Sequence, residues 1–329
     1  MRFSSKAAVC MAGCLALVGS AVTMVSPVAA QDDYPKAPIK LLVGFGPGGG
    51  NDLVSRLLAI HLSPLLGQPI VVENKPGAGG RIAAELLTRS APDGYTLLVA
   101  PAGTLMVAPA VYKKLNFDPL KSFELISNFS LYAFILSVPS SHPAKSVKEL
   151  VAWGKANRKA ANYASSSAIF QLTTELFNTK AGVEFVHIPF KSGAEMVTGM
   201  LNGQAAMAFA DVAPVMPQIR SGKIRPLATS GSKRMAELPD MPTMAEAGYP
   251  DVVMDGFSAV VAPKGMPAAI VKKLEAALIA VSKIPDARKR LTQLGMIADG
   301  STGAELRARL EREIPKWKAV AKAAKIELD

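Results

Sequence analysis

Twice in its first hundred residues the chain runs from an apolar, strand-like stretch through a glycine-rich loop into a segment of helical periodicity, and a turn then leads into a third such stretch. Ile39 to Phe45 is an apolar run followed by Gly46-Pro47-Gly48-Gly49-Gly50-Asn51, after which Leu53, Val54, Leu57 and Leu58 recur at helical spacing until Pro64 and Gly67. Pro69 to Glu73, the loop Lys75 to Gly80 and the helical stretch Arg81 to Arg89 make a second unit. Pro92-Asp93-Gly94 then turns the chain into a third strand, Tyr95 to Ala100. Apolar runs without alternation are what a strand buried on both faces requires. Such units in series predict an α/β fold built on a parallel, doubly wound sheet with right-handed crossovers.

The middle of the chain repeats the style. Tyr132 to Val138 reads as a strand, and Ser146 with Glu149 forms a capping box that opens a helix through Trp153. Asn162 to Ser167 is a strand end entering a helix near Gln171; Glu184 to Pro189 is a strand, and Ser192-Gly193 opens a helix that ends near Gly203. Ala205 to Ala210 is a strand ending at Asp211, and Ile224 to Ser230 reads as the strand that crosses back to the first domain. The last third is helix-rich, with Pro267 to Lys283 and Thr302 to Lys325, the latter opened by a second capping box, Thr302 with Glu305. Domain one is expected to comprise residues 31–130 plus 228–329 and domain two residues 131–227, joined by the two segments that a hinge needs.

The N-terminus bears on compartment. Arg2 and Lys6 precede an uncharged stretch from Ala7 to Ala30; Pro27 breaks it, and Val28-Ala29-Ala30 supplies small residues for cleavage. That pattern predicts a secretory signal peptide over residues 1–30 and a periplasmic mature chain. The competing reading, an uncleaved anchor, suits the length of the stretch, but its Gly, Ser and Thr content dilutes it. Both cysteines, Cys10 and Cys14, fall inside the leader, so the mature chain has no disulfide, thiolate or Cys-ligated metal. It must stand on its core alone, which a chain of 299 residues can do as two domains.

The candidate chemistry sits after the strands. Loops rich in Gly, Ser and Thr lead into helices at Gly46 to Asp52, Lys75 to Arg81, Gly103-Thr104, Ser165 to Ser167 and Lys191 to Gly193. In open α/β sheets ligands bind beyond the carboxyl ends of strands. Glycine lets backbone N–H groups approach an anion, and a helix N-terminus presents unpaired donors. Loops of this kind from two domains would grip a carboxylate, although each taken singly is also ordinary βα turn chemistry. Asp211, closing an apolar strand, either faces a ligand ammonium or hydroxyl or caps the following helix. Phe190, Lys191 and Phe257 are candidates for cleft walls, the two phenylalanines equally for core.

Other classes find little support. Gly44-Phe45-Gly46-Pro47-Gly48-Gly49 matches G-x-G-x-x-G, and Glu73 lies where a ribose-binding acid would, but Gly44 falls inside the strand and the leader sends the chain away from nicotinamide cofactors. His61, His142 and His187 show no metal-ligand spacing, and no G-x-S-x-G, H-E-x-x-H or G-K-[ST] motif is present. The net charge, +11, comes from scattered residues without aromatic interleaving, which argues against nucleic acid as a partner. No cofactor and no metal are expected. An exported enzyme acting on a small carboxylate or its ester is the alternative from another class, and it lacks a visible triad.

From Val43 to Arg56 (Gly-Phe-Gly-Pro-Gly-Gly-Gly-Asn-Asp, then Ser55-Arg56) the chain resembles the receptors of tripartite tricarboxylate transporters, the Bug-type family. The resemblance continues through Gly67 to Gly80, Ala91 to Leu98, Tyr163-Ala164-Ser165-Ser166, His187 to Lys191, Leu238 to Thr243 with Glu246-Ala247-Gly248, and Ala262-Pro263. It implies a two-lobed, type II periplasmic binding-protein fold that closes on a small mono- or dicarboxylate held by backbone amides, hydroxyls and waters. It implies no catalysis, delivery to membrane permease components or a sensor, and a monomer. Carried over by motif, the binding positions are Gly48, Gly49, Gly50, Asp52, Gly103, Thr104, Ser165, Ser166, Ser167, Lys191, Ser192, Gly193 and Asp211. One departure stands out: where the family has a glycine-rich turn and a histidine, this chain reads Ser167-Ala168-Ile169-Phe170-Gln171. Bulk from Ile169 and Phe170 would reshape the pocket toward an aromatic or an unusually small acid.

Overall fold

Strands Ile39–Val43 (β1), Ile70–Asn74 (β2) and Thr96–Pro101 (β3) pair in parallel, β1 in the middle, as the serial units require. The computed structural model describes residues 34–329, so the leader assigned to residues 1–30 lies outside the described part. Successive side chains of a strand point to opposite faces, and both faces are covered here. Leu97 and Val99 of β3 join Ile39 and Leu41 in one buried cluster, with Val54, Leu57 and Leu58 of helix Gly50–Leu66 (α1). Leu98 and Ala100 join Leu42 in another, with Ala83, Ala84 and Leu87 of helix Arg81–Thr88 (α2). This two-sided burial is why the runs lack polar alternation.

The sheet grows to six strands, in the order β11-β4-β10-β3-β1-β2. The additions are Phe123–Ala133 (β4), Asp255–Pro263 (β10) and Met296–Thr302 (β11); β10 runs antiparallel to β3 and β4, and β11 antiparallel to β4. The parallel arrangement thus holds for the three strands the sequence shows first, and the other half of the sheet is antiparallel. After β3 a π-helical turn, Gly103–Val107, runs into the short helix Ala108–Val111 (α3). Helices Ala268–Lys283 (α8) and Pro285–Gln293 (α9) precede β11, and Gly303–Ala323 (α10) follows it. The capping box of α10 is complete, Thr302 and Glu305 bonding each other's backbone N–H, and its stripe Leu306, Leu310, Ile314, Trp317 and Ala321 is buried.

A second set of strands lies between. Ile135–Pro139 (β5) is flanked antiparallel by Ala208–Ala210 (β8) and Ile224–Thr229 (β9). Asn162–Ser165 (β6) pairs in parallel with Val186–Pro189 (β7), and a single bridge from Tyr163 to Met207 links β6 toward β8. Helices Val147–Ala156 (α4), Ala168–Ala181 (α5), Gly193–Leu201 (α6) and Val212–Arg220 (α7) complete this part.

The passages between the two sheets differ from the sequence reading. The expected strand Tyr132 to Val138 is divided at Phe134, with β4 in one sheet and β5 in the other. The return expected near 228 comes later, because β9 stays paired with β5 and the six-stranded sheet is re-entered only at Asp255. Ser230 fastens both passages: Phe134 N–H donates to its Oγ at 3.0 Å, and its hydroxyl donates to Met254 O at 2.8 Å. Its own N–H donates to Phe134 O at 2.8 Å and its carbonyl accepts from Met254 N–H at 2.9 Å, all within buried surroundings. Ser230→Ala orphans the buried Phe134 N–H, which should cost about 1–2 kcal/mol; a urea denaturation curve superimposed on the parent's would refute this.

Among the described residues no helix is long and apolar enough to cross a membrane, and no group of three His, Asp, Glu or Cys side chains is placed to hold a metal ion.

Candidate functional site

Two adjoining cavities of about 480 Å³ each open at the strand tips and share Asn51, Tyr132, Gly193 and Asp211 on their walls. The first is bounded by Gly48, Gly49 and Gly50, by the starts of α6 and α7, and by Leu294, Gly295 and Met296. The second is bounded by Gly103, by Ser166 to Phe170, and by Lys191, Ser192 and Gly193. The walls therefore come from residues following β1, β3, β6, β7 and β8, the position that open α/β sheets reserve for ligands. A larger depression of about 630 Å³, lined by Lys145 to Lys148 and Glu237 to Pro242, shares none of these residues. The helix start within it is already capped, Glu149 N–H donating to Ser146 Oγ at 3.2 Å.

The helix starts on the cavities are different. Gly49, Ser167 and Asp211 stand at the N-cap positions of α1, α5 and α7, and none caps its helix with a side-chain hydrogen bond. The first-turn N–H groups at these three starts are left without an intrahelical partner, and residues from each start line the cavities. Ser192 does cap α6, accepting from Glu195 N–H at 3.2 Å, while Glu195 in turn accepts from Lys191 N–H at 3.1 Å. The exposed Lys191 ammonium has no ion pair among the described residues. The arrangement offers amide donors from both sheets, three serine hydroxyls and one cation, a set suited to an anion.

Five of the fifteen expected site residues lie off the walls, each for a definable reason. Asp52 is buried and holds the first glycine loop from behind: its carboxylate accepts from Gly48 N–H (2.9 Å), Arg56 Nε (2.9 Å) and Nη2 (3.0 Å), and Asn74 Nδ2 (2.9 Å). Burial alone would raise its pKa, but the bonds from Arg56, Gly48 and Asn74 outweigh that and hold it below the ordinary value. Thr104 is also buried and supports the second glycine loop, donating to Gly79 O at 3.1 Å; its neighbour Gly103 is the wall residue. Phe190 packs its ring over Gly199, beside the core around Met196 and Met200. Phe257 lies wholly within the core on β10, with the Arg309 guanidinium 4.9 Å from its ring centroid.

Ser165, the fifth, faces away from the cavity and shares a 2.7 Å hydrogen bond with His187 Nε2. Tyr163 stacks on that imidazole and donates to Glu175 Oε1 at 2.7 Å. Burial holds the His187 pKa below its ordinary value, against the pull of Glu175. A serine within reach of a histidine is the spacing of an activated nucleophile. Here Ser165 is only 3% exposed and absent from the cavity wall, so the pair ties β6 to β7. The remaining histidines are structural in the same sense: His61 approaches Asp286 at 3.3 Å, and His142 accepts from Ala144 N–H at 3.1 Å while meeting Trp153 edge-on.

Asp211 is where the two readings of the sequence separate. It stands at the cap position of α7, forms no cap bond, and lines both cavities. Burial pushes its pKa up from 3.8 to about 6. Tyr132, across the shared wall, has its own pKa raised by burial and, secondarily, by this carboxylate. Wall residues outside the expected set include Phe45, Asn51, Gly79, Tyr112, Tyr132 and Phe134. Asn51 carried a signal, as the last residue of the first glycine loop; Ser258 Oγ donates to its Oδ1 at 3.2 Å. The bulk foreseen at Ile169 and Phe170 is on the wall.

The profile of the tripartite tricarboxylate transporter family receptor matches residues 54–326. The UPF0065 protein in the gbd 5' region of Cupriavidus necator is 40% identical over 278 residues, which covers 82% of this chain and 82% of that protein. An R. palustris protein solved with adipate superimposes with a TM-score of 0.79 at 32% identity, over 90% of this chain and 99% of its own. The periplasmic binding protein BugD superimposes with a TM-score of 0.77 at 32% identity, over 89% of this chain and 99% of its own.

Proposed function

Because the chain belongs to the tripartite tricarboxylate transporter receptor family, whose members are solute-binding receptors rather than enzymes, we propose that it captures a small carboxylate in the paired cavities and presents it to the membrane permease of such a transporter. The observation that carries this reading is the meeting of three helix starts without side-chain caps, from α1, α5 and α7, at one place. Their amides can bind an anion without a buried arginine. The adipate of the R. palustris protein supports a carboxylate ligand.

Lobe one is residues 34–133 and 255–329, and lobe two is residues 134–254, the passages at Phe134 and Met254 forming the hinge that Ser230 clasps. Closure brings Ser166, Ser167 and Ser192 of lobe two toward Gly48 to Gly50 and Gly103 of lobe one. Asp52 and Thr104 act by shaping the two glycine loops behind the wall. The chain works as a monomer in the periplasm, a location supported by the leader pattern and by the likeness to the periplasmic protein BugD.

Mass spectrometry of ligand released from gently purified protein, followed by calorimetry with the acid identified, tests the reading. One acid bound per chain, with Kd in the micromolar range or tighter and no turnover, is expected. Turnover of the acid, or no binding by any acid of two to eight carbons, refutes it.

A further inference from the structure

The chain has 20 aromatic residues in 329, yet five of them, Phe45, Tyr112, Tyr132, Phe134 and Phe170, line a single cavity of about 480 Å³. Each ring is held. Phe134 meets Phe170 edge to face at 4.9 Å and Tyr132 at 5.9 Å. Tyr112 carries the Arg81 guanidinium 3.5 Å from its centroid, and Phe45 packs against Gly80, where no side chain intervenes. Phe134 and Phe170 are almost wholly buried and form the backing; Phe45, Tyr112 and Tyr132 keep exposed surface.

Anchored aromatic groups offer faces and edges at fixed angles, the geometry a flat ring satisfies and a flexible methylene chain does not. The anion donors, Ser166, Ser167 and Lys191, lie on the same wall as the rings. From this juxtaposition we infer that the ligand is an aromatic or heteroaromatic carboxylate, its acid group at the helix starts and its ring among the aromatic side chains. The inference rests on the carboxylate reading above and names the ligand class within it.

Calorimetry with two matched pairs separates ring from chain: terephthalate against adipate, and benzoate against cyclohexanecarboxylate. The benzene-ring member of at least one pair should bind about tenfold tighter than its partner. Phe45→Leu and Phe170→Leu, which keep apolar bulk and are checked for parental melting, should each cut that margin at least threefold. If adipate and cyclohexanecarboxylate bind as tightly as the ring acids, or if neither variant alters the margin, the ring assignment falls and the receptor reading stands. If none of the four acids binds, the ring assignment falls; the carboxylate reading falls with it only when no acid of two to eight carbons binds.

Discussion

Gly44→Ala should cost about 3 kcal/mol of stability and weaken ligand capture, although the residue touches no cavity wall. Gly44 follows β1 and is buried against the second glycine loop: a Cβ there would lie 2.6 Å from Gly80 Cα and 3.0 Å from Gly80 O. Both obstacles are backbone, so no side-chain rotation relieves them. Gly80 cannot retreat, because it sits at φ +88° with Thr104 Oγ1 and the Phe45 ring against its open side. Displacing either loop moves Phe45 or Gly79, both wall residues. An unfolding free energy from urea denaturation within about 0.5 kcal/mol of the parent's would contradict the interlock, since ordinary surface substitutions fall in that range. The same contact explains the G-x-G-x-x-G match, whose first glycine serves loop-to-loop packing.

Asp211→Asn should stabilise the ligand-free protein near neutral pH. The Asp211 pKa is pushed up from 3.8 to about 6, so between those values the folded protein holds a proton more tightly than the unfolded chain. Stability therefore falls as pH rises through that window, and the full penalty is present above it. Asparagine keeps the shape and removes the charge. At about pH 7.5 the variant should gain up to about 3 kcal/mol and melt several degrees higher, and the gain should vanish by about pH 4. Capture of an anionic ligand by the parent should strengthen as pH falls through about 6, a dependence that the variant lacks. Identical melting of the two proteins at both pH values would rule out an unpaired carboxylate in the cavity.

The legible parts of the fold are those whose partners are near in sequence. The strands β1, β2 and β3 are punctuated by glycine and proline; the Ser146 cap of α4 and the capping box of α10 close within four residues, although at α4 Glu149 accepts from Lys145 N–H and leaves the box half-made. Strand β4 is hard to read because Ser127, Asn128 and Ser130 interrupt its apolar pattern while lying buried. Their shortest hydrogen bonds reach across the sheet: Ser127 Oγ donates to Ser301 O at 2.7 Å, and Asn128 Nδ2 to Asp299 Oδ2 at 2.8 Å, partners more than 170 residues away. Strand β10 conceals Phe257 in the same way, since which face is core depends on its neighbours β3 and β4.

Within the site, glycine and serine loops announce themselves as a class, but the direction of each residue does not. Ser165 and Ser166 are adjacent, and the alternation of a strand end sends one to His187 and the other to the cavity. Gly103 and Thr104 divide likewise. The aromatic wall draws on residues from 45 to 170, and nothing local in their sequence brings them together.

The clasp of Asp52 on Gly48, Arg56 and Asn74 has a thermodynamic consequence for the empty protein. A loop of consecutive glycines would otherwise wander over many backbone states and surrender that freedom on every capture. Fastened from behind, it is already preorganised and loses little entropy when a ligand arrives. A molecule of the wrong outline gains nothing from waiting, because this half of the cradle does not remould itself.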